Sequence, residues 1–499
     1  GDCRVREALM FAFTAAVNRA SKRYQWNAKR PTNVMTGTLY ISSLRYEWNV
    51  WSLFRRKASD VLRYYLEFPS SKATVEVFHR SATDLNCLPD QSVDMVFMDP
   101  PFGSNIFYAD SSLLWEAWLG QLTDPAQEIV VNKHRKEATG GKSVAAYGEL
   151  LGQAFQQSGR ILRKGGRAVL AFSNSDDKVW QALQEALNQA GFDTESVHVL
   201  NKGQPSIKGV KGRSGKEHVT TLDLLLCLKH RKSPRQLSVR FPPSEKFIDD
   251  TIRDYFVRCG GVPQQIDQIY SAVIRTAIEA GHSVSGITMP AISSRCVALG
   301  AVQRSGRWIL KSDTTANSTA DFVAGYLADP LTLPITTGSK ASNKAIGNAR
   351  IVGGRNSALY QAHSYHTKVP PEAITPFIEH YTKPGDVILD PFCGSGMTGV
   401  AAAMLQRQCI LSDLSPAGIH LTWNHTRPCD PEKLGSTFAE IVDRLQPQFA
   451  RLYRTNHTDG TSAVINWTLW SSRHRCPKCT SEFLLWEAMD RETGRLGTT

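Results

Sequence analysis

No stretch of this 499-residue sequence is long and apolar enough to cross a bilayer as a helix: the run Ala8 to Val17 has about half of the roughly 20 residues a span needs, and Thr14 interrupts it. The N-terminal residues lack the basic, apolar, small-residue pattern of a leader, so a cytoplasmic protein with no membrane partner is expected. Ten cysteines are scattered without framework spacing, which argues against a disulfide-stapled scaffold and fits reduced thiols. No internal repeat is found. Acid is in deficit, with 46 Asp and Glu against 58 Lys and Arg, and the net +12 points to polyanionic partners.

The basic surplus is uneven. Residues 1–69 carry twelve Lys and Arg against five acids, on two stretches of helical periodicity, Val5 to Ala20 and Val50 to Leu66. This basic helical arm is a candidate for a phosphate backbone, although any single cation in it could equally belong to a solvated helix face. From about Thr74 short strands alternate with helices: Thr74 to Phe78, Val93 to Met98, Leu113 to Leu119, Gly148 to Leu162, Ala168 to Phe172, Val179 to Ala190 and Leu222 to Leu228. Alternation resumes at Val387 to Leu389, Thr398 to Gln406 and Cys409 to Ser412. Such alternation predicts an α/β fold with a doubly wound, largely parallel sheet, and the two stretches read as halves of one sheet. Between them, residues 233–345 show helical periodicity at Phe247 to Cys259 and Gln264 to Ala280, a candidate hairpin at Val302 to Leu310, and Ser/Thr/Asn-rich linker.

Two strand ends carry chemistry. In Asp386-Val387-Ile388-Leu389-Asp390 an apolar strand ends on an acid, and Phe392, Cys393, Gly394, Ser395 and Gly396 form a glycine turn into a helix. Asp413 stands 23 residues beyond Asp390, at the end of the next apolar strand, where a carboxylate can accept bonds from ribose hydroxyls. That is the pattern of a nucleoside site. Gly394, Gly396 and Gly399 also satisfy Gly-x-Gly-x-x-Gly, so a nicotinamide dinucleotide competes on spacing alone.

The other strand end is Asp99-Pro100-Pro101-Phe102. An exocyclic amino group of a nucleobase is a poor nucleophile because its lone pair is delocalised into the ring. Asp99 can accept one amino hydrogen and the Pro100 carbonyl the other, which draws the nitrogen towards a tetrahedral geometry. Pro100 and Pro101 stiffen the loop, and Phe102 offers a flat face to a base swung out of its stack. Trp115 and Trp118 read as core residues.

Together these residues resemble the amino-directed DNA methyltransferases, whose cofactor motif Asp-Pro-Phe-x-Gly-Ser-Gly-Thr-Thr differs here in Met397 for the first Thr. The resemblance implies a Rossmann-like domain that binds S-adenosylmethionine through Asp390, Phe392, Cys393, Gly394, Ser395, Gly396 and Asp413, with Thr367 and Lys368 of His366-Thr367-Lys368-Val369-Pro370-Pro371 folding over the methionine end. Ser81 or Asp84 is the candidate for the adenine. Asp at position 99 resembles adenine N6 enzymes, whereas cytosine N4 enzymes more often carry Ser there. Pro428-Cys429 mimics the nucleophile of cytosine C5 enzymes but follows the second cofactor strand, so Cys429 reads as an ordinary cysteine.

Residues 38–119 and 365–400 also resemble a group of large bacterial zinc-ribbon DNA methylases, in which the cofactor half comes first; the order here is permuted. Cys476-x-x-Cys479 would supply half of a four-ligand zinc site, and zinc is not expected to be bound by this chain. The division expected is 1–69 arm, 70–232 catalytic half, 233–345 helical insertion and candidate target-recognition region, 346–430 cofactor half, and 431–499 helix and ribbon-like tail. Lys202, Lys208, Lys211, Arg213 and Lys216, in a glycine-rich loop without acids before Glu217, are candidate DNA contacts. The function expected is methylation of adenine N6 in DNA, with restriction or defence-system proteins as candidate partners. Cytosine N4, RNA, or an inactive DNA-binding scaffold are the alternatives.

Overall fold

The computed structural model describes residues 2–27, 33–34, 39–68, 71, 73–200, 222–231, 241–304, 306–310 and 357–492. Both stretches of alternation enter one seven-stranded sheet. In chain order its strands are β1 (Val75–His79), β2 (Val93–Met98), β3 (Leu162–Phe172), β4 (Phe192–Leu200), β5 (Asp223–His230), β6 (Val387–Asp390) and β7 (Gln408–Asp413). Side by side they run β1-β7-β6-β2-β3-β5-β4. All pairs are parallel except those of β5, which is antiparallel to both its neighbours. Val93, Met95, Val96, Phe97 and Met98 are all buried, as a strand covered on both faces requires.

The two halves join where β6 meets β2, with Ile388 opposite Met95 and Leu389 opposite Val96. Strand order reverses at this seam, and a doubly wound sheet opens a crevice at the carboxyl ends of the strands there. Asp99 and the glycine turn both leave the sheet at that edge. Helices Val144–Ile161 and Asp177–Gln189 cover one face, and Pro371–Tyr381 and Met397–Met404 the other.

Strand β4 was not legible in the sequence, because Asp193, Thr194, Glu195 and Ser196 break its apolar pattern. It is an edge strand, and Glu195 reaches Arg167 of β3 at 2.6 Å. The helices of the 233–345 region, Glu245–Arg258, Ile266–Glu279 and Met289–Ala298, share the core of the catalytic half: Ile252, Tyr255, Ile269 and Tyr270 are buried in one cluster with Phe172, Trp180 and Leu183. Gln184 ties the two regions by donating to the His282 carbonyl and accepting from Val284 N–H.

The N-terminal arm is built into the molecule too. Arg4 donates to the Pro428 and Arg427 carbonyls, Asn424 Oδ1 and the Tyr65 hydroxyl. Lys57 is held by Asp60 and the Gln361 carbonyl, and Arg23 is buried. These three cations therefore serve structure, whereas Arg6, Arg55 and Arg56 stay exposed. Leu44–Trp48 pairs antiparallel with Trp467–Ser471, so arm and tail share a small sheet. Trp115 is core, as expected, but Trp118 is 59% exposed, with the Phe13 ring edge-on to it. Among the described residues no helix is long and apolar enough to cross a membrane.

Candidate active site

The catalytic loop leaves β2 at Asp99 and is fixed by its own carbonyls. Pro101 C=O accepts from the Tyr147 hydroxyl at 2.7 Å, Phe102 C=O from Asn174 Nδ2 at 3.0 Å, and Gly103 C=O from Val131 N–H at 3.1 Å. Tyr147 is fully buried in its helix, so the loop is pinned from the core outwards.

The glycine turn after β6 is braced by two acids. Asp390 accepts from Phe392 N–H at 2.9 Å and the Thr398 hydroxyl at 2.6 Å; Asp413 accepts from Gly394 N–H at 2.7 Å and Ser415 N–H at 2.8 Å. The Thr422 hydroxyl closes the turn on the Gly394 carbonyl. Gly394 and Gly396 both have positive φ, and a Cβ at Gly394 would stand 2.8 Å from the Tyr365 ring.

Between the two loops lies an open cleft of about 870 Å³. From the expected residues it gathers Asp99, Pro101, Ser81, Thr367, Asp390, Phe392, Cys393, Gly394, Ser395 and Asp413. Pro100, Phe102, Gly396 and Lys368 are not among its lining residues. Phe102 packs edge-on against Phe172 at 5.2 Å. Lys368 is buried, its ammonium donating to the Leu359 and His363 carbonyls, so it secures the segment carrying Thr367 from behind. Asp84 is exposed and faces Arg80, leaving Ser81 as the residue of that pair on the cleft. Cys429 is buried among Val5, Ala8 and Tyr65. The cations Lys202, Lys208, Lys211, Arg213 and Lys216 lie outside the described residues. Among the described residues no group of three His, Cys, Asp or Glu could hold a metal, and Cys476 and Cys479 stand as a pair.

Sequence reading missed Glu128 and Tyr365 on the cleft wall. Glu128 accepts from Tyr108 and Ala109 N–H at the start of helix Tyr108–Leu119, and the Tyr108 hydroxyl lies 3.2 Å from that of Thr367. Each cleft half is thus latched to the other through Tyr108. No motif spacing could have flagged Glu128, 29 residues past Asp99; its one signal was an acid set against the apolar run Ile129-Val130-Val131.

Four carboxyl groups line the cleft, Asp99, Glu128, Asp390 and Asp413, and no Lys or Arg is among its described lining residues. Burial pushes Glu128 and Asp390 up to about 7, against the pull of their N–H and hydroxyl donors, and it raises Asp413 too. Asp390 in the fold therefore keeps a proton that the unfolded chain sheds from about pH 4, so stability falls as pH rises towards 7, and that loss is complete above it. Asp390→Asn is expected to reduce the fall in Tm between pH 5 and 7, leaving the part Glu128 contributes with the same sign. A Tm profile parallel to wild type would show that Asp390 does not titrate there.

The family model for DNA methylases matches residues 93–422. Two type II methyltransferases are similar over short segments. M.XycI of Xanthomonas campestris pv. cyanopsidis is 37% identical over 81 residues, 16% of this chain and 27% of that protein. M.Cfr9I of Citrobacter freundii is 38% identical over 77 residues, 15% of this chain and 25% of its own length. The chain thus spans about a quarter of the curated relatives it matches. Among solved structures, the cytosine-N4-specific Pvu II DNA methyltransferase aligns with a TM-score of 0.38 at 12% identity, covering 75% of this chain and 94% of that one.

Proposed function

The chain belongs to the N6/N4 DNA methylase family, and on that premise we propose that it transfers the methyl group of S-adenosylmethionine to the N6 amino group of adenine in DNA. The observation that carries this reading is the shared cleft: the Asp99 loop and the glycine turn, nearly three hundred residues apart, open on one space lined by acids. The lining also separates the two cofactor readings. With no Lys or Arg among its described lining residues, the cleft offers nothing to neutralise the pyrophosphate of a dinucleotide, whereas a nucleoside that carries a sulfonium and an ammonium needs no such cation.

In this reading Ser395 and the Gly394 turn hold the nucleoside, Asp413 faces its ribose while bracing the turn, and Thr367 and Tyr365 close over its amino-acid end. When bound, S-adenosylmethionine supplies an activated methyl group. Asp99 accepts one hydrogen of the target amino group and the Pro100 carbonyl the other, so the nitrogen lone pair is released from the ring and directed away from it. Asp99 then takes up the proton that the alkylated nitrogen sheds. No covalent enzyme intermediate is required, in keeping with Cys429 lying in the core.

Adenine is preferred over cytosine because position 99 is Asp. The test is to incubate the full chain with labelled S-adenosylmethionine and either duplex DNA or RNA, digest to nucleosides and identify the product by mass spectrometry. N6-methyldeoxyadenosine is the expected product. N4-methyldeoxycytidine would overturn the base assignment, and label confined to RNA would overturn the substrate.

A further inference from the structure

The cleft offers phosphate no Lys or Arg among its described lining residues, yet a nucleotide can reach Asp99 only if its backbone runs close by. The cations that hold that backbone must therefore sit at the rim, in a fixed relation to the catalytic loop. Lys133-His134-Arg135-Lys136 meets both conditions. Lys133, His134 and Lys136 are exposed, and Arg135 is anchored, its guanidinium on Asp110 at 2.5 Å and on the Thr139 carbonyl at 3.2 Å. Among the described residues no carboxylate lies within ion-pair distance of Lys133 or Lys136, and Glu137 is the acid of the 133–142 segment.

This segment is rigid rather than a solvated tether. Asn132 Oδ1 accepts from the backbone N–H of His134 and Arg135, Asn132 and Lys142 exchange both backbone bonds, and Gly141 N–H donates to the Lys136 carbonyl at 2.8 Å. A Cβ at Gly141 would stand 2.2 Å from the Arg135 carbonyl oxygen, so the closure admits only glycine. The segment is also joined to the catalytic loop. Val131 N–H holds the Gly103 carbonyl, and the His134 ring stands edge-on to Phe107 at 6.4 Å. Ser104 and Asn105, exposed on that loop, add hydroxyl and amide donors beside it.

We propose that Lys133, His134 and Lys136 form a ledge that grips the DNA phosphate backbone flanking the target base and sets it in register with Asp99. The proposal rests on the reading of this chain as a DNA methylase. The ledge contacts phosphate and carries no sequence preference, so it acts on every DNA alike.

The experiment measures binding of the full chain to duplex DNA across a series of salt concentrations, with methylation followed in parallel. Removing one phosphate-binding cation lowers the slope of log K against log salt by about 0.9, so Lys133→Ala/Lys136→Ala is expected to flatten it by about 2 and to raise KM for DNA at least tenfold. Affinity for S-adenosylmethionine and Tm should hold, and Lys133→Arg/Lys136→Arg should restore the slope. An unchanged slope in a double-alanine variant that still methylates DNA would overturn the ledge alone. A wild-type chain that methylates no DNA would overturn the ledge together with the reading beneath it.

Discussion

Asp99→Ala is expected to lower methyl transfer by at least about 10²–10³-fold, the scale of losing a preorganised group aimed at developing charge, while affinity for S-adenosylmethionine changes by no more than a few-fold. The separation follows from how the loop is held. Its shape depends on the carbonyls of Pro101, Phe102 and Gly103, tied to Tyr147, Asn174 and Val131, and on a β2 strand whose buried side chains end at Met98. The glycine turn is braced separately by Asp390 and Asp413. Removing the Asp99 carboxylate thus deletes a hydrogen acceptor, while each loop keeps the backbone bonds that brace it. Asp99→Asn, which keeps one carbonyl oxygen as acceptor but cannot take the proton, should fall between the two. Single-turnover rates with calorimetric titration of the cofactor would decide it, and undiminished turnover in Asp99→Ala would end the assignment.

A larger structural effect is expected at the other loop. Gly396 has φ +78°, and a Cβ there would lie 2.8 Å from Thr422 Cα and 2.9 Å from its hydroxyl oxygen. The backbone conformation costs a non-glycine residue about 1–2 kcal/mol, and overpacking against helix Pro416–Thr426 adds about 1–3 kcal/mol. Gly396→Ala should therefore lose about 2–5 kcal/mol of stability and, because the turn must shift, most of its cofactor affinity. Gly385→Ala is the matching control, with φ +90° and no atom within 4 Å of the added Cβ. It should lose about 1–2 kcal/mol and keep its cofactor affinity. Equal urea midpoints for the two variants would show that contact with Thr422 is not what fixes Gly396.

The sheet and its seam were legible because β2 and β6 are apolar runs that end on acids, a signal that depends on neighbouring residues alone. What the sequence concealed was set by tertiary context. Glu128 became a cleft residue because a helix start 20 positions earlier needed its carboxylate, and Lys368 turned from ligand candidate to internal brace because carbonyls from Leu359 and His363 converge on it. Arg4 looked like one more phosphate contact until the chain brought Asn424 and Arg427 to it from the far half. Charge in the N-terminal arm was correctly counted but its destination was not, since a guanidinium that joins two segments looks in sequence like one that faces solvent.

The strand order has a consequence for the chain as it is made. Within the sheet β1 pairs with β7 alone, and β2 lacks one of its two partners until β6 has been synthesised. Ribosomes add roughly 5–20 residues per second, so Val75–His79 emerges tens of seconds before Gln408–Asp413 can join it. Through that interval strands β2 to β5 can assemble with their helices, but β2 presents an apolar open edge. The latest strands to arrive are the ones that seal it, and the same event brings the glycine turn to Asp99. Completion of the sheet and birth of the active site are, for this chain, a single step.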